Sequence, residues 1–181
     1  NVEANGGYLT TGFVGVSYLC PALTRSGLHD LAVQLLLNEG YPSWLYEINN
    51  GATTIWERWN SWTEEDGFGD VGMNSFNHYA FGSVCAWMFE SLAGIKPGEP
   101  GFQTLDVAPG LTDRFDYVKA SYESVQGPVS IHWKKNGKGF EVELETPVSA
   151  RIRLPFLDEM VEQGRHVFNI MPDQEGNLVV K

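Results

Sequence analysis

The chain has 181 residues, of which 43% are hydrophobic, and its six Trp, seven Tyr and ten Phe exclude a disordered chain. A formal net charge of −11 disfavours phosphate backbones and anionic membrane surfaces, so we predict no nucleic-acid partner and no membrane partner. No stretch reaches the roughly 18–20 apolar residues of a membrane span. The chain opens with NVEANGG rather than with Met, so we expect part of the protein to precede it, and the sequence predicts no compartment.

The first predicted elements are two helices. Residues 10–23 form a mostly apolar run that starts at a candidate Thr cap and that Pro21 is expected to bend or interrupt. In residues 28–39, LHDLAVQLLLNE, the apolar side chains fall on one helical face. Gly40 then predicts the end of this second helix, because glycine is the usual residue just after a helix C-terminus.

The two cysteines, Cys20 and Cys85, both stand in apolar helical surroundings. Such thiols usually pack in the core as small hydrophobic groups, so we predict that both are buried. No second Cys or His falls at ligand spacing from either of them. The sequence therefore predicts no disulfide, no metal site and no cofactor.

Residues 53–62, TTIWERWNSW, concentrate Trp around one acidic residue. Indole faces bind the C–H faces of sugars and the indole N–H donates to hydroxyls, so Trp56 and Trp59 are candidate pocket walls. A Trp-rich core is the alternative. Glu57 is a candidate acid or base because a carboxyl group among aromatic rings loses hydration, whereas a surface Glu or a Glu in a buried salt bridge would also fit. The following loop, residues 60–75, has no periodicity, which is typical of functional loops.

Residues 75–93 are apolar on nearly every side, which predicts a helix surrounded by protein. Asn74 or Ser75 is the expected N-cap, and this places His78 in the first turn. There the helix dipole favours a neutral ring suited to binding hydroxyls; a core histidine bonded to backbone is the alternative. One amphipathic helix beside one buried helix predicts a mainly α N-terminal part shaped as a two-layer helical barrel, with a helical bundle as the second possibility.

The pattern changes at KPGEPGF, residues 96–102, which is dense in Pro and Gly and indicates a linker. We therefore predict two domains, residues 1–97 and residues 98–181. In the second domain, apolar and polar residues alternate, which predicts an all-β antiparallel sandwich without a catalytic cluster. Asn136-Gly137 predicts a hairpin turn within it. The alternating apolar residues are Val129, Ile131, Trp133, Phe140, Val142, Leu144, Ala150, Ile152 and Leu154.

Several stretches resemble one family of enzymes. LTTGFVGVSYLCPAL, LLLNEGYPSWLYEINNGATTIWERW and NSFNHYAFGSVCAWMFESLAGI are similar to the C-terminal half of bacterial α-L-rhamnosidases, glycoside hydrolase family 78. GPVSIHW and FEVELETPVSARIRLP resemble the tail of the same family. The resemblance covers nearly the whole chain, and ATTIWERW followed downstream by NSFNHYAFGSV is its most specific part.

The resemblance implies the last helices of an (α/α)6 barrel of six helical hairpins, followed by a small β-sandwich. It implies an inverting hydrolase that releases terminal α-L-rhamnose from glycosides or polysaccharides, with a rhamnose-containing carbohydrate as its partner. Glu57 matches the family's general base, and His78 matches a histidine that contacts the sugar. Trp56 and Trp59 are candidate substrate-binding walls by their position beside the base.

The family's general acid lies in an acidic upstream segment, and nothing before residue 53 of this chain resembles that segment. We therefore expect the rest of the catalytic domain to lie upstream and the chain alone to be inactive. Two other interpretations stay open: a non-catalytic carbohydrate-binding remnant, and a six-hairpin-barrel hydrolase for a different sugar. The sequence predicts neither the natural aglycone, nor the linkage, nor the oligomeric state.

Overall fold

The computed structural model describes residues 2–180. The chain divides between Trp87 and Met88 into two compact units, the first built around helices and the second around β-sheets. The change from helical to alternating patterns along the sequence predicted this order correctly. The domain bounds 1–97 and 98–181 stay a prediction. Among the described residues, no helix is long and apolar enough to cross a bilayer.

The first unit combines short helices with one small hairpin. Its helices are α1 (Phe13–Arg25), α2 (His29–Leu37), α3 (Trp44–Asn49) and α4 (Val84–Trp87), with 3₁₀ turns at Glu3–Asn5, Val71–Met73 and Ala80–Ser83. Strands β1 (Trp62–Thr63) and β2 (Gly67–Phe68) pair antiparallel. The most deeply buried large side chains of this unit come from the part of its sequence up to α2 and from its last residues: Leu9, Val16, Val33, Leu35, Phe81 and Trp87.

In α1 one residue prediction is wrong and one is confirmed, and in α4 one is wrong. Pro21 lies inside α1, which continues to Arg25, so the expected interruption is wrong. Cys20 is buried as predicted, and this burial raises the pKa of its thiol to about 12. Cys85 is exposed rather than buried, because the turn of α4 that carries it buries Val84 and Trp87 instead.

Helix α2 ends at Leu37, before the predicted residue 39. Asn38 leaves the helical conformation with ψ 128°, and its side-chain amide donates to a backbone carbonyl of the N-terminal turn. Gly40 serves a different purpose from the predicted helix stop. A Cβ atom at this position would lie 2.6 Å from the Tyr8 hydroxyl, so the glycine allows the Tyr8 ring to approach the backbone.

The single helix predicted over residues 75–93 is wrong. The structure has a 3₁₀ turn at Ala80–Ser83, then α4, then a π-helical segment at Met88–Ala93 that begins the second unit. Residues before Ala80 are held instead by hydrogen bonds to the segment around Glu57. His78 therefore precedes the helical turns and does not lie in a first turn.

The second unit contains two sheets. Its strands are β3 (Ile95–Pro97), β4 (Leu105–Val107), β5 (Tyr117–Ser124), β6 (Gly127–Asn136), β7 (Gly139–Thr146), β8 (Ala150–Leu154), β9 (Leu157–Val161), β10 (Gly164–Pro172) and β11 (Leu178–Val180), with a 3₁₀ turn at Pro100–Phe102. One sheet has the order β11-β10-β7-β6-β5 and the other the order β3-β4-β8-β9. The pair β4–β8 is parallel, which corrects the all-antiparallel prediction.

The alternation along these strands predicted their buried faces correctly. All nine predicted inward residues of β6, β7 and β8 are buried, with exposures of 0–8%, which is consistent with a β-sandwich. The polar atom of the buried Trp133 side chain has a hydrogen-bond partner, since Nε1–H donates to the Leu92 carbonyl at 3.0 Å. The β6–β7 turn is displaced by one residue from the predicted Asn136-Gly137, since Asn136 pairs with Gly139 and leaves Gly137 and Lys138 as the loop.

Candidate active site

Backbone hydrogen bonds align two distant segments of the first unit side by side. The Glu57 N–H donates to the Ser75 carbonyl at 2.9 Å, and the His78 N–H donates to the Ile55 carbonyl at 2.8 Å. The Thr54 hydroxyl adds a bond to the Phe76 carbonyl. The pairing runs antiparallel, because the earlier residue of one segment bonds the later residue of the other. It places Glu57 and His78, the two polar residues singled out from the sequence, on neighbouring stretches of backbone.

Glu57 is held at both its backbone and its side chain. Its carboxylate Oε2 accepts the Ser75 N–H at 2.7 Å, so Ser75 bonds Glu57 twice. A bond of this length to a carboxylate oxygen is short and limits the rotation of the carboxylate. Arg58 points elsewhere, since its Nη1 donates to the Met73 carbonyl at 3.3 Å. Glu57 is half-buried, so part of its side chain remains accessible to water or to a ligand.

His78 lies among aromatic rings. Its ring stacks with Phe13 at a centroid distance of 4.9 Å and an interplanar angle of 15°, and with Tyr79 at 5.3 Å and 7°. The Ala80 N–H donates to Nδ1 at 3.3 Å. An acceptor Nδ1 carries no proton, so the proton of the neutral ring is on Nε2, which is then the donor.

Trp56 and Trp59 belong to two different aromatic clusters. Trp59 is half-buried and stacks with Phe81 at 3.8 Å and 8°, and its Nε1–H donates to the Thr11 carbonyl at 2.8 Å. Trp56 is only 5% exposed and meets Phe76 edge to face at 5.3 Å. Trp59 is connected through Phe81 to the rings around His78, whereas Trp56 offers little free surface.

A cavity of about 280 Å³ lies beside Trp56. Its wall combines aromatic rings with small polar residues: Asn50, Gly51, Ala52, Thr53, Thr54, Trp56, Trp62, Phe68 and Phe76. Neither Glu57 nor His78 lines it. The structure therefore brings Glu57 and His78 together on one pair of segments but places the Trp56 cavity apart from their side chains.

Two residues near this pair were not identified from the sequence. Glu47 on α3 is 2% exposed, and burial raises the pKa of its carboxyl to about 8, partly opposed by the backbone N–H of Trp56. Within residues 2–180 its Oε1 has no hydrogen-bond partner. The spacing of Trp44 and Glu47, three residues apart on one helical face, is a signal that could have indicated this burial. Phe13 carried no signal, because its contact with His78 joins residues that are distant in sequence.

The described residues 2–180 contain no group of three or more His, Cys, Asp or Glu side chains placed to hold a metal ion. Glu57 supplies a carboxylate whose Oε2 accepts the Ser75 N–H, and His78 supplies an imidazole whose Nδ1 accepts the Ala80 N–H. A carboxylate can accept a proton from water, and an Nε2–H can donate to a hydroxyl.

Comparisons with known proteins agree over both units. The model of the bacterial alpha-L-rhamnosidase 6 hairpin glycosidase domain matches residues 1–92, and that of the bacterial alpha-L-rhamnosidase C-terminal domain matches residues 94–169. An alpha-L-rhamnosidase of Alteromonas sp. (strain LOR) is 44% identical over 140 residues, which are 77% of this chain and 15% of the relative.

Solved structures give the same result. The crystal structure of Streptomyces avermitilis alpha-L-rhamnosidase complexed with L-rhamnose has a TM-score of 0.86 and 35% identity, over 93% of this chain and 18% of that chain. Native alpha-L-rhamnosidase from Aspergillus terreus has a TM-score of 0.85 and 29% identity, over 93% and 20%. The chain spans at most 20% of the length of these relatives.

Proposed function

Because the chain belongs to the bacterial α-L-rhamnosidase family, we propose that it is part of an inverting glycoside hydrolase that releases terminal α-L-rhamnose from glycosides or polysaccharides. Within that enzyme this chain supplies the general-base half of the active site. The observation that carries the proposal is the paired backbone of residues 55–57 and 75–78, which presents a fixed carboxylate and a fixed imidazole on adjacent segments.

Residues 1–97 form the last helices of a barrel of six helical hairpins in this proposal. The match of the six-hairpin model to residues 1–92 supports it. So does the outer surface of α1, where Val14 is 85% exposed and Tyr18 is 67% exposed. Exposed apolar side chains one helical turn apart suit a face that other barrel helices cover. In this proposal the β-sandwich that follows carries no catalytic residue.

Glu57 is the general base. In an inverting hydrolase the base removes a proton from water as that water attacks the anomeric carbon. Since the Ser75 amide binds Oε2 of Glu57, we assign the proton transfer to Oε1. An acid on the opposite face of the sugar, roughly 6.5–9.5 Å from the base, protonates the leaving oxygen. We place that acid in a part of the polypeptide outside these 181 residues.

His78, Trp59 and Trp56 form the substrate-binding part of the proposal. His78 donates its Nε2–H to a sugar hydroxyl, because its Nδ1 is already occupied by the Ala80 amide. Rhamnose carries a methyl group in place of a hydroxymethyl group, and aromatic walls accommodate a methyl group well. Trp59 is half-buried and offers more of its ring for that contact than Trp56 does.

The test uses the complete polypeptide that carries this sequence. Hydrolysis of nitrophenyl α-L-rhamnoside is compared with hydrolysis of the fucoside and the glucoside, and the first sugar released is observed by NMR before it mutarotates. We expect preference for the rhamnoside and initial release of the β-anomer. Preference for another sugar would favour the other six-hairpin hydrolases, initial release of the α-anomer would contradict inversion, and binding of rhamnose without hydrolysis would favour a carbohydrate-binding remnant.

A further inference from the structure

Phe13, the first residue of α1, lies between two aromatic groups of the site. On one side its ring stacks with His78, with centroids 4.9 Å apart and planes 15° from parallel. It also contacts Phe81 at 5.7 Å and 59°, and Phe81 in turn stacks with Trp59. A continuous series of rings thus runs from Trp59 through Phe81 and Phe13 to His78.

The other restraints on the His78 side chain leave its ring plane incompletely fixed. Tyr79 also stacks with the imidazole, at 5.3 Å and 7°, but Tyr79 is 87% exposed, so packing restrains its own ring little. The bond from the His78 N–H to the Ile55 carbonyl holds the backbone only. The Ala80 N–H reaches Nδ1 at 3.3 Å, which is a long hydrogen bond. The terminal torsion of histidine is broad and roughly two-fold, so one long hydrogen bond does not select a single orientation. A parallel ring in contact with the imidazole face does restrict that torsion.

We propose that Phe13 is a positioning residue for His78, holding the imidazole plane so that Nδ1 faces the Ala80 amide and Nε2–H faces the sugar. The inference rests on the proposed function for the identity of the ligand, a neutral sugar whose hydroxyl accepts the Nε2–H bond. Phe13 itself has no polar atom and does not take part in proton transfer. It acts through the direction of the hydrogen bond that His78 donates.

Exposure separates this role from that of an ordinary core residue. Phe13 remains 36% exposed, whereas Val16, one turn further along α1, is 2% exposed. Val16→Ala should therefore destabilise the first unit at least as much as Phe13→Leu does, because Val16 loses fully buried methyl groups whereas leucine at the partly exposed position 13 keeps much of the apolar contact. If Phe13 acts on His78, the effects on substrate turnover have the opposite order.

A double-mutant cycle in the complete polypeptide tests the proposal. Phe13→Leu should lower kcat/KM for nitrophenyl α-L-rhamnoside by roughly 3- to 10-fold, the range expected for loss of an aromatic pair. Phe13→Tyr, a separate variant that keeps an aromatic ring, should have kcat/KM close to that of the original protein. In a His78→Ala background, Phe13→Leu should have no further effect, since residues that act through one another are not additive. Val16→Ala, assayed well below its unfolding temperature, should leave kcat/KM unchanged.

Equal effects of Phe13→Leu in the two backgrounds would overturn the proposal, as would full activity of the Phe13→Leu protein. A second measurement does not depend on activity. In protein labelled with ¹⁵N-histidine, the chemical shifts of the two His78 ring nitrogens should be those of the Nε2–H tautomer. Phe13→Leu should move both chemical shifts toward the values averaged over the two tautomers. Unchanged nitrogen shifts in Phe13→Leu would also overturn it. Failure of the starting protein to hydrolyse rhamnosides would instead refute the proposed function, and the nitrogen shifts would still decide the role of Phe13.

Discussion

Replacing Glu47 by Gln should remove a pH dependence from the stability of the first unit. Glu47 is 2% exposed, and burial raises the pKa of its carboxyl from an ordinary 4.5 to about 8. Below pH 4.5 this carboxyl is protonated in both the folded and the unfolded chain. Between the two pKa values the unfolded chain releases a proton that the folded chain keeps, so stability falls as the pH rises and levels off above pH 8.

The size of this effect follows from the two pKa values. Where the carboxyl is protonated in the folded chain and ionised in the unfolded chain, each pH unit changes the free energy of unfolding by about 1.4 kcal/mol. Glu47 is close to this condition between about pH 5 and pH 7. We therefore expect opening of the segment around Glu47 to become easier by about 2.5 kcal/mol over that interval. Glutamine has a similar shape and no charge to release, so the same segment in Glu47→Gln should open with a free energy that does not change with pH.

Hydrogen exchange followed by mass spectrometry measures this opening directly. Peptides that cover residues 44–57 are compared at pH 5 and pH 7 in both proteins, after correction for the intrinsic pH dependence of exchange. Peptides from β6 and β7, which are remote in sequence, serve as internal references. The same pH response in both proteins, or none in the protein with Glu47, would refute the reasoning that the Glu47 carboxyl is buried and neutral.

Three further changes have expected results. Trp133→Phe removes the donor to the Leu92 carbonyl and should lower the free energy of unfolding by about 1–3 kcal/mol, measured by denaturant titration. Gly94→Ala should lower the free energy of unfolding by at least about 2 kcal/mol in the same titration, because the added Cβ would lie 2.3 Å from the Ala108 backbone. Gly137→Ala is the matched control, since Gly137 also has a positive φ but lies in open space. Trp59→Phe keeps the stacked ring but loses the bond to the Thr11 carbonyl, so we expect a loss of about 1 kcal/mol in thermal unfolding.

The β-sheet unit was largely predictable because its signal is local. Side chains of a strand alternate between two faces, so the inward residues of β6, β7 and β8 can be read from neighbouring positions. The parallel pairing of β4 with β8 was not predictable in this way. It joins segments separated by three other strands, and no local pattern records which distant strands become neighbours.

The helical unit was predicted less well because tertiary contacts override local pattern there. The apolar run over residues 75–93 has helical composition, yet its first residues bond the segment that carries Glu57. His78 consequently precedes the helical turns, and its Nδ1 accepts the Ala80 N–H, whereas the sequence predicted a position in the first turn of a helix. Phe13 could not be identified at all, since only folding brings α1 against that imidazole.

The catalytic roles themselves came from family resemblance together with residue chemistry. Trp and Glu in one short segment suggested a sugar site, and the resemblance assigned base and sugar contact to Glu57 and His78. The structure adds the pairing of their backbones and the partners of their side chains. Their roles stay proposals until turnover is measured.

The most direct test of the central claim is the turnover of Glu57→Gln in the complete polypeptide on nitrophenyl α-L-rhamnoside. The amide oxygen of glutamine can still accept the Ser75 N–H, so the fold should be retained while the proton acceptor is lost. We expect kcat to fall by roughly 100- to 10,000-fold, whereas Glu65→Gln, at an exposed position of the neighbouring loop, should leave it unchanged. A Glu57→Gln protein that turns over rhamnoside at the rate of Glu65→Gln would contradict the assignment of Glu57 as the general base.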